Sequence, residues 1–162
     1  MKLYNKSLEI KRKNLGEDHT LVADTYYNMA MVYKQQGTLD EAMNLYSKSL
    51  EIKKKTHGED HTSVANTYNN MAFVYDTQGK LDEKMKLYSK SLEIKKKNLG
   101  ENHTSVANTY NNMALVYSQR GKLDEAIKLY NKSLEITFLA KVLAPSSSSL
   151  LFVCDDAFIY CG

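Results

Sequence analysis

The stretch that decides the fold is residues 45–86, LYSKSLEIKKKTHGEDHTSVANTYNNMAFVYDTQGKLDEKMK, which returns at residues 87–128 with 33 of its 42 positions unchanged. The same opening motif begins at Leu3, Leu45, Leu87 and Leu129, so the period is 42 residues. Periods of about 20 to 50 residues are typical of units that bury their apolar face only against a neighbouring unit. We therefore expect a stack of near-copies.

Each unit contains two amphipathic helical patterns, which we name helix A and helix B. In the second unit, the apolar stripe of helix A consists of Val64, Tyr68, Met71, Ala72 and Tyr75, and that of helix B consists of Leu81, Met85, Tyr88 and Leu92. The hydroxyl of Thr62 is predicted to cap the start of helix A, and Gly79 is predicted to end it in the left-handed conformation. Helices of this length are marginal alone, so each hairpin must stack on the next one.

The order of aromatic and small residues resembles the tetratricopeptide repeat (TPR) pattern. The residues that carry the resemblance in the second unit are Tyr68, Met71, Ala72, Tyr75, Gly79, Leu81, Tyr88 and Leu92. The 42-residue length, the Leu-Gly-Glu-Asp-His motif at 15–19 and the Gln-Gly-Lys-Leu-Asp-Glu motif at 78–83 are similar to kinesin light chain repeats, and also to nephrocystin-3-like arrays. The resemblance implies an all-α TPR superhelical solenoid of antiparallel helix hairpins.

The repeat register divides the chain into five parts. Residues 1–15 form a partial repeat with helix B alone, and residues 16–57, 58–99 and 100–136 form three TPR units. Residues 137–162 leave the register and hold Pro145 and both cysteines, Cys154 and Cys161. We expect this tail to be poorly ordered, as a shifted reading frame, a retained intron or an alternative exon would produce. The alternative is that helix B continues as a cap as far as Ala144, before the proline stops it.

Three departures from the kinesin light chain pattern lead to further expectations. Thr20, Thr62 and Thr104 stand where that family commonly has proline, so a threonine hydroxyl should start each A helix. Lys84 replaces the small residue supplied by Ala42 and Ala126, and its stem should turn outward to solvent. The serines that replace alanine on helix B should bond back to their own helix. They are Ser7, Ser49, Ser91 and Ser133.

Composition and spacing disfavour several classes of function. The formal charge is only +3 over 162 residues, and the lysine-rich runs at 11–13, 53–55 and 95–97 are explained as cations at helix C-termini, so nucleic acid is not an expected partner. No run of 18 apolar residues exists, so no membrane association is expected. His19, His61 and His103 recur one unit apart, which is too far for shared metal ligation. We predict no cofactor, no metal and no enzymatic activity.

The TPR resemblance implies that the A helices line a concave groove that binds an extended peptide. The implied groove residues are Asp24, Tyr27, Asn28, Asn66, Asn69, Asn70, Phe73, Asn108, Asn111 and Asn112. Asparagine carries donors and an acceptor, so a row of them can bond a peptide backbone regardless of its sequence. The alternative is that these asparagines are neutral, solvated surface residues without a binding role, which were copied when the repeat was copied. Lys34 and Arg120 could add positive charge at the edge of the groove.

The predicted function is a non-enzymatic protein-interaction scaffold, a kinesin light chain-like cargo adaptor fragment that binds a protein or peptide ligand. The alternative is a regulatory or sensor TPR arm of a multidomain signalling protein. Binding to kinesin heavy chain is not assignable to this chain, because it has no heptad coiled coil. The absence of a secretory signal favours the cytoplasm, with association with the cytoskeleton as a further expectation.

Overall fold

A computed structural model describes residues 1–143 of the chain, and these residues form seven α-helices without strands. The helices are α1 (Lys2–Leu15), α2 (Thr20–Gln35), α3 (Leu39–His57), α4 (Thr62–Thr77), α5 (Leu81–Leu99), α6 (Thr104–Gln119) and α7 (Leu123–Leu143). The pairs α2/α3, α4/α5 and α6/α7 pack as hairpins, and each hairpin contacts the next through α3/α4 or α5/α6. The expected all-α array of stacked hairpins is confirmed, with α2, α4 and α6 as A helices.

The turn inside each hairpin is set by a glycine. Gly79 has a φ of 67°, the left-handed conformation that was predicted for it. The next amide, that of Lys80, donates to the carbonyl of Tyr75 at 3.1 Å, which satisfies a carbonyl at the end of α4. Helix B can then begin at once, at Leu81.

The predicted threonine caps of the A helices are wrong. Thr62 is the first residue of α4, and the N-cap is His61, whose backbone is extended and whose Nδ1 accepts from the amide of Ser63 at 3.2 Å. His19 and His103 cap α2 and α6 in the same way. The imidazole of His61 accepts from an amide of the first turn of α4 that has no partner within the helix, so the histidines that recur every 42 residues are structural.

The core runs from hairpin to hairpin. One cluster joins Ala30 of α2 and Tyr46 of α3 to Met71 and Val74 of α4, and Tyr46 has no exposed surface. Tyr26, Tyr68, Tyr88 and Tyr110 are also buried. Tyr68 and Tyr88 belong to the apolar stripes predicted for helix A and helix B, whereas Tyr75 of the helix A stripe is half-buried. Because the largest side chains pack between units, a single hairpin cannot bury them alone.

Lys84 does not extend to solvent as predicted. Only 3% of Lys84 is exposed, and its Nζ donates to Asp76 Oδ1 at 2.5 Å and to Gln119 Oε1 at 3.2 Å. Asp76 lies on α4 and Gln119 on α6, so one ammonium connects three helices. The first and third units have alanine at this position and therefore lack the connection.

The prediction that the serines bond back to their own helix is wrong for three of the four residues, Ser49, Ser91 and Ser133. Ser91 Oγ on α5 donates to the carbonyl of Ala65 on α4 at 2.8 Å, and Ser133 Oγ makes the same bond to Ala107. These bonds join helix B to its own helix A. Ser49 is fully buried and its Oγ has no partner within residues 1–143.

The two ends of the described chain are both B helices. Helix α1 precedes the first hairpin without a helix A of its own. Helix α7 continues seven residues beyond Ile136, to Leu143, so the expectation of poor order fails for residues 137–143, and the helical alternative holds for them. The rest of the predicted tail lies outside the described residues. No helix within the described part of the chain is both long and apolar enough to span a bilayer.

Candidate peptide-binding surface

The ten predicted groove residues lie on α2, α4 and α6, the three A helices. Those with exposed side chains are Asp24, Asn28, Asn66, Phe73, Asn108 and Asn111, and those that are half-buried are Tyr27, Asn69, Asn70 and Asn112. We call these ten residues the A-helix surface.

Direct bonds link neighbouring A helices across this surface. Asn70 Nδ2 on α4 donates to Tyr27 OH on α2 at 2.6 Å, and Asn112 Nδ2 on α6 donates to Asn69 Oδ1 on α4 at 3.4 Å. The half-buried members are therefore occupied by bonds between units. They hold the A helices side by side and are not open to a ligand without exchange of partners.

The exposed amides have no such role. Within residues 1–143 the side-chain amides of four asparagines make no hydrogen bond to other protein groups. They are Asn28, Asn66, Asn108 and Asn111. Each amide offers two donors and an acceptor to a bound chain. Beside them, Phe73 is 50% exposed and Leu115 is 46% exposed, so the surface combines free amides with apolar contacts.

Lys34 lies at the edge of the surface, as predicted. Its Nζ is 4.8 Å from the centre of the Phe73 ring and 3.4 Å from Asn70 Oδ1. Burial lowers the pKa of Lys34 from its ordinary value. Arg120, the other predicted cation, bonds Asp82 Oδ1 at 2.6 Å, so its charge is balanced within the array.

Two buried lysines beneath the surface were missed by the sequence reading, which assigned the whole lysine runs to helix C-termini. Lys53 is 6% exposed, and its Nζ lies 3.4 Å from Asp24 Oδ1 and 4.4 Å from the centre of the Tyr27 ring. Burial lowers the pKa of Lys53, and the carboxylate of Asp24 offsets part of that effect. A sequence signal for such lysines was a threonine that follows 14 residues later. Lys11 donates to Thr25 and Lys95 donates to Thr109 at this spacing.

Lys95 differs from Lys53 because Asn66 replaces the carboxylate of Asp24 at the corresponding position. Lys95 is 5% exposed, and its Nζ donates to Thr109 Oγ1 at 3.0 Å. Burial lowers its pKa without a compensating carboxylate. The surface therefore has a balanced cation at the first unit and an unbalanced one at the second.

The histidines do not form a metal centre in the part of the chain that is described. No group of three or more His, Cys, Asp or Glu side chains comes together within residues 1–143. His57 and His61 stack with ring centroids 4.5 Å apart, and His61 Nδ1 already serves as the α4 cap. A stacked pair directs its ring nitrogens side by side and does not converge them on one ion.

Helix hairpins stacked in series, with free polar groups along the A helices, define the class of repeat solenoids that bind other polypeptides. Family models described as tetratricopeptide repeat match residues 2–55, 21–83, 85–137 and 64–105. The chain belongs to the tetratricopeptide repeat family. A search of curated protein sequences found no match.

Solved structures with the same fold include BtubC (BKLC) from P. vanneervenii, with a TM-score of 0.80 and 24% identity over 96% of this chain and 62% of that one. TPR-like repeats attributed to a kinesin light chain of Podosopora anserina give a TM-score of 0.69 with 24% identity, over 88% of this chain and 67% of that chain. MamA gives 0.62 with 23% identity, over 86% and 72%. This chain thus spans less than two thirds of BtubC. At these identities the similarity establishes the fold alone. The tetratricopeptide repeats matched by the family models are those of a protein-interaction scaffold.

Proposed function

We propose that the A-helix surface binds a peptide segment of a partner protein in an extended conformation, and that the chain serves as the ligand-binding part of a kinesin light chain-like cargo adaptor in the cytoplasm. The observation that carries this proposal is the row of free amides, Asn28, Asn66, Asn108 and Asn111, beside the exposed Phe73. An extended chain exposes backbone donors and acceptors along its whole length, and amides spaced along an array can bond them.

The bonds between A helices support the same proposal. Since Asn70 and Asn112 fix the spacing of α2, α4 and α6, the surface is organised before a ligand arrives. Organisation in advance lowers the entropic cost on the protein side, while the peptide still has to be ordered. For three units we expect micromolar-class binding, about −8 kcal/mol.

The test separates the free amides from the occupied ones. One variant changes Asn28, Asn66, Asn108 and Asn111 to Ala, and a control changes Asn5, Asn14, Asn44 and Asn102 to Ala, four asparagines that are exposed outside the A-helix surface. Proteins retained from a lysate by the immobilised wild-type chain are identified, and peptides from them are titrated by fluorescence anisotropy.

We expect the free-amide variant to bind such peptides at least about tenfold more weakly, a loss of about 1.4 kcal/mol, and the control to match the wild type. Circular dichroism should show the same helix content in all three proteins. Equal peptide binding by the wild type and a folded free-amide variant would show that the A-helix surface is not the peptide-binding site.

A further inference from the structure

Helix α7 carries an apolar stripe that nothing covers within residues 1–143. Leu123, Ile127, Leu134 and Phe138 are 60%, 55%, 69% and 64% exposed. Their spacings of four, seven and four residues place them on one side of the helix. The other side of α7 faces α6, where Ile136 is buried and Ser133 bonds the carbonyl of Ala107. We call these four residues the α7 stripe.

The α7 stripe differs from the corresponding face of the inner B helices at the residue that meets the next unit. There, the Nζ of Lys54 lies 5.7 Å from the centre of the Tyr68 ring, and the Nζ of Lys96 lies 5.5 Å from that of Tyr110. In α7 the residue at this repeat position, 42 residues after Lys96, is Phe138. An apolar ring replaces the cation that meets the tyrosine of a following unit, so this end of the array suits an apolar partner.

The spacing of the α7 stripe reads the same in both directions along the helix. When two α7 helices lie antiparallel, Leu123 of one copy meets Phe138 of the other, and Ile127 meets Leu134. The two-fold axis then falls between Tyr130 and Asn131. Four apolar layers result over 15 residue steps, or about 22 Å of helix.

The charges beside the stripe fit the same arrangement. Lys128 and Glu135 are seven residues apart on one edge of the stripe, both are exposed, and neither has an ion-pair partner within the described residues. Antiparallel pairing brings Lys128 of one copy beside Glu135 of the other, and the two-fold axis repeats the contact. In a parallel pair, the two-fold axis would place Lys128 of one copy and Glu135 of the other on opposite edges of the interface, so this ion pair could not form.

We propose that the α7 stripe is a self-association surface, and that two copies of this chain pair through antiparallel α7 helices. The α7 stripe and the A-helix surface lie on different helices and share no residue, so the pairing does not use the A-helix surface. The pairing is independent of whether the A-helix surface binds a peptide.

The first test is the mass of the full chain in solution as a function of concentration. Light scattering after size exclusion should give twice the 18.5 kDa chain mass at high concentration and fall toward one chain mass on dilution. Leu134→Lys places a charge at the centre of the pair and should raise the dissociation constant at least about 30-fold. Ile10→Lys, at an equally accessible apolar residue of α1 that is 50% exposed, should leave the mass unchanged.

The second test exchanges the flanking charges. Lys128→Glu alone and Glu135→Lys alone should each weaken the dimer about two- to fivefold, and the double variant should recover the wild-type dissociation constant. The same exchange at Lys86 and Glu93, the corresponding residues of α5, is the matched control and should have no effect.

Three results would overturn the proposal. The first is a single chain mass up to about 100 µM, a limit that leaves less than about 5.5 kcal/mol for association and would mean that another occupant covers the stripe. The second is a dimer that Leu134→Lys leaves intact or that Ile10→Lys dissociates. The third is a charge-exchanged double variant that is weaker than both single variants. Circular dichroism verifies that each variant is folded.

Discussion

Lys84 illustrates how one residue changes the energetics of an otherwise copied unit. Its ammonium is buried and depends on Asp76 and Gln119 for hydrogen bonds. Burial raises the pKa of the Asp76 carboxyl, but hydrogen bonds from Lys84 and Gln119 and the charge of Lys84 outweigh it, so the pKa lies below its ordinary value. Burial, with a contribution from the charge of Asp76, raises the pKa of neighbouring Tyr88 to about 12. The buried ammonium of Lys84 therefore depends on the Asp76 carboxylate.

We predict that Asp76→Asn lowers the free energy of unfolding by about 3 kcal/mol, because it leaves a buried ammonium without its carboxylate. Lys84→Ala restores the residue of the first and third units and should cost less than about 1 kcal/mol, since Asp76 retains Gln119 and solvent. Urea unfolding of both variants checks the difference. An equal loss of unfolding free energy in both variants would contradict the role of Asp76 as the carboxylate that stabilises the buried ammonium.

The same pair gives a pH dependence. The folded-state pKa of Asp76 is depressed, so its contribution is fully present above the unfolded-state pKa of about 4. The contribution is lost as the pH falls through the folded-state value. The difference in stability between wild type and Asp76→Asn should therefore be constant near neutral pH and shrink below about pH 4.

At the scale of helices, the start of each A helix depends on a histidine. His61→Ala removes the acceptor for the amide of Ser63 and should lower the free energy of unfolding by about 1 kcal/mol, while His61→Asn should retain most of it. Thr62→Ala is the control, because Thr62 lies inside the helix. We expect it to cost less than about 0.5 kcal/mol in thermal or urea unfolding. A larger loss for Thr62→Ala than for His61→Ala would show that Thr62, and not His61, caps α4.

Helix boundaries and stripes were predictable from the sequence because a repeat presents each signal several times. The role of Gly79 follows from local backbone geometry, and the roles of Tyr68 and Tyr88 follow from hydrophobic spacing. The cap was missed because threonine and histidine stand side by side and both carry an acceptor. Which of them has extended backbone depends on the approach of the linker to the hairpin, and residue type does not specify it.

The candidate site was predictable only as a set of positions. The sequence indicates which residues of the A helices avoid the core, such as Asn66 and Asn70. It does not show that Asn70 reaches Tyr27 from the neighbouring helix, because that bond spans 43 residues and depends on the distance between two A helices. Lys53 and Lys95 were missed for a related reason. A lysine near a helix end is usually solvated, and only tertiary packing shows that these two are buried.

At the scale of the whole molecule, stability should grow with the number of units. Insertion of a second copy of residues 58–99 after Leu99 should raise both the urea midpoint and the m-value, the latter by roughly a third, because the new unit buries its faces against both neighbours. A Gly/Ser insert of the same length at that position is the control and should lower the midpoint. An unchanged m-value in the repeat insertion would mean that the added unit does not fold with the array.

The likeness of the second and third units has a consequence for any ligand that spans only part of the array. Helices α4 and α6 present the same asparagines and differ at three positions, Phe73/Leu115, Asp76/Ser118 and Thr77/Gln119. A short ligand would then have two nearly equivalent binding positions. The choice between two positions makes the free energy of binding more favourable by RT ln 2, about 0.4 kcal/mol. Of these differences, the exchange of a phenyl ring for an isobutyl group lies beside the exposed asparagines and would favour one of the two binding positions. A bound segment could still move from one unit to the next without leaving the protein.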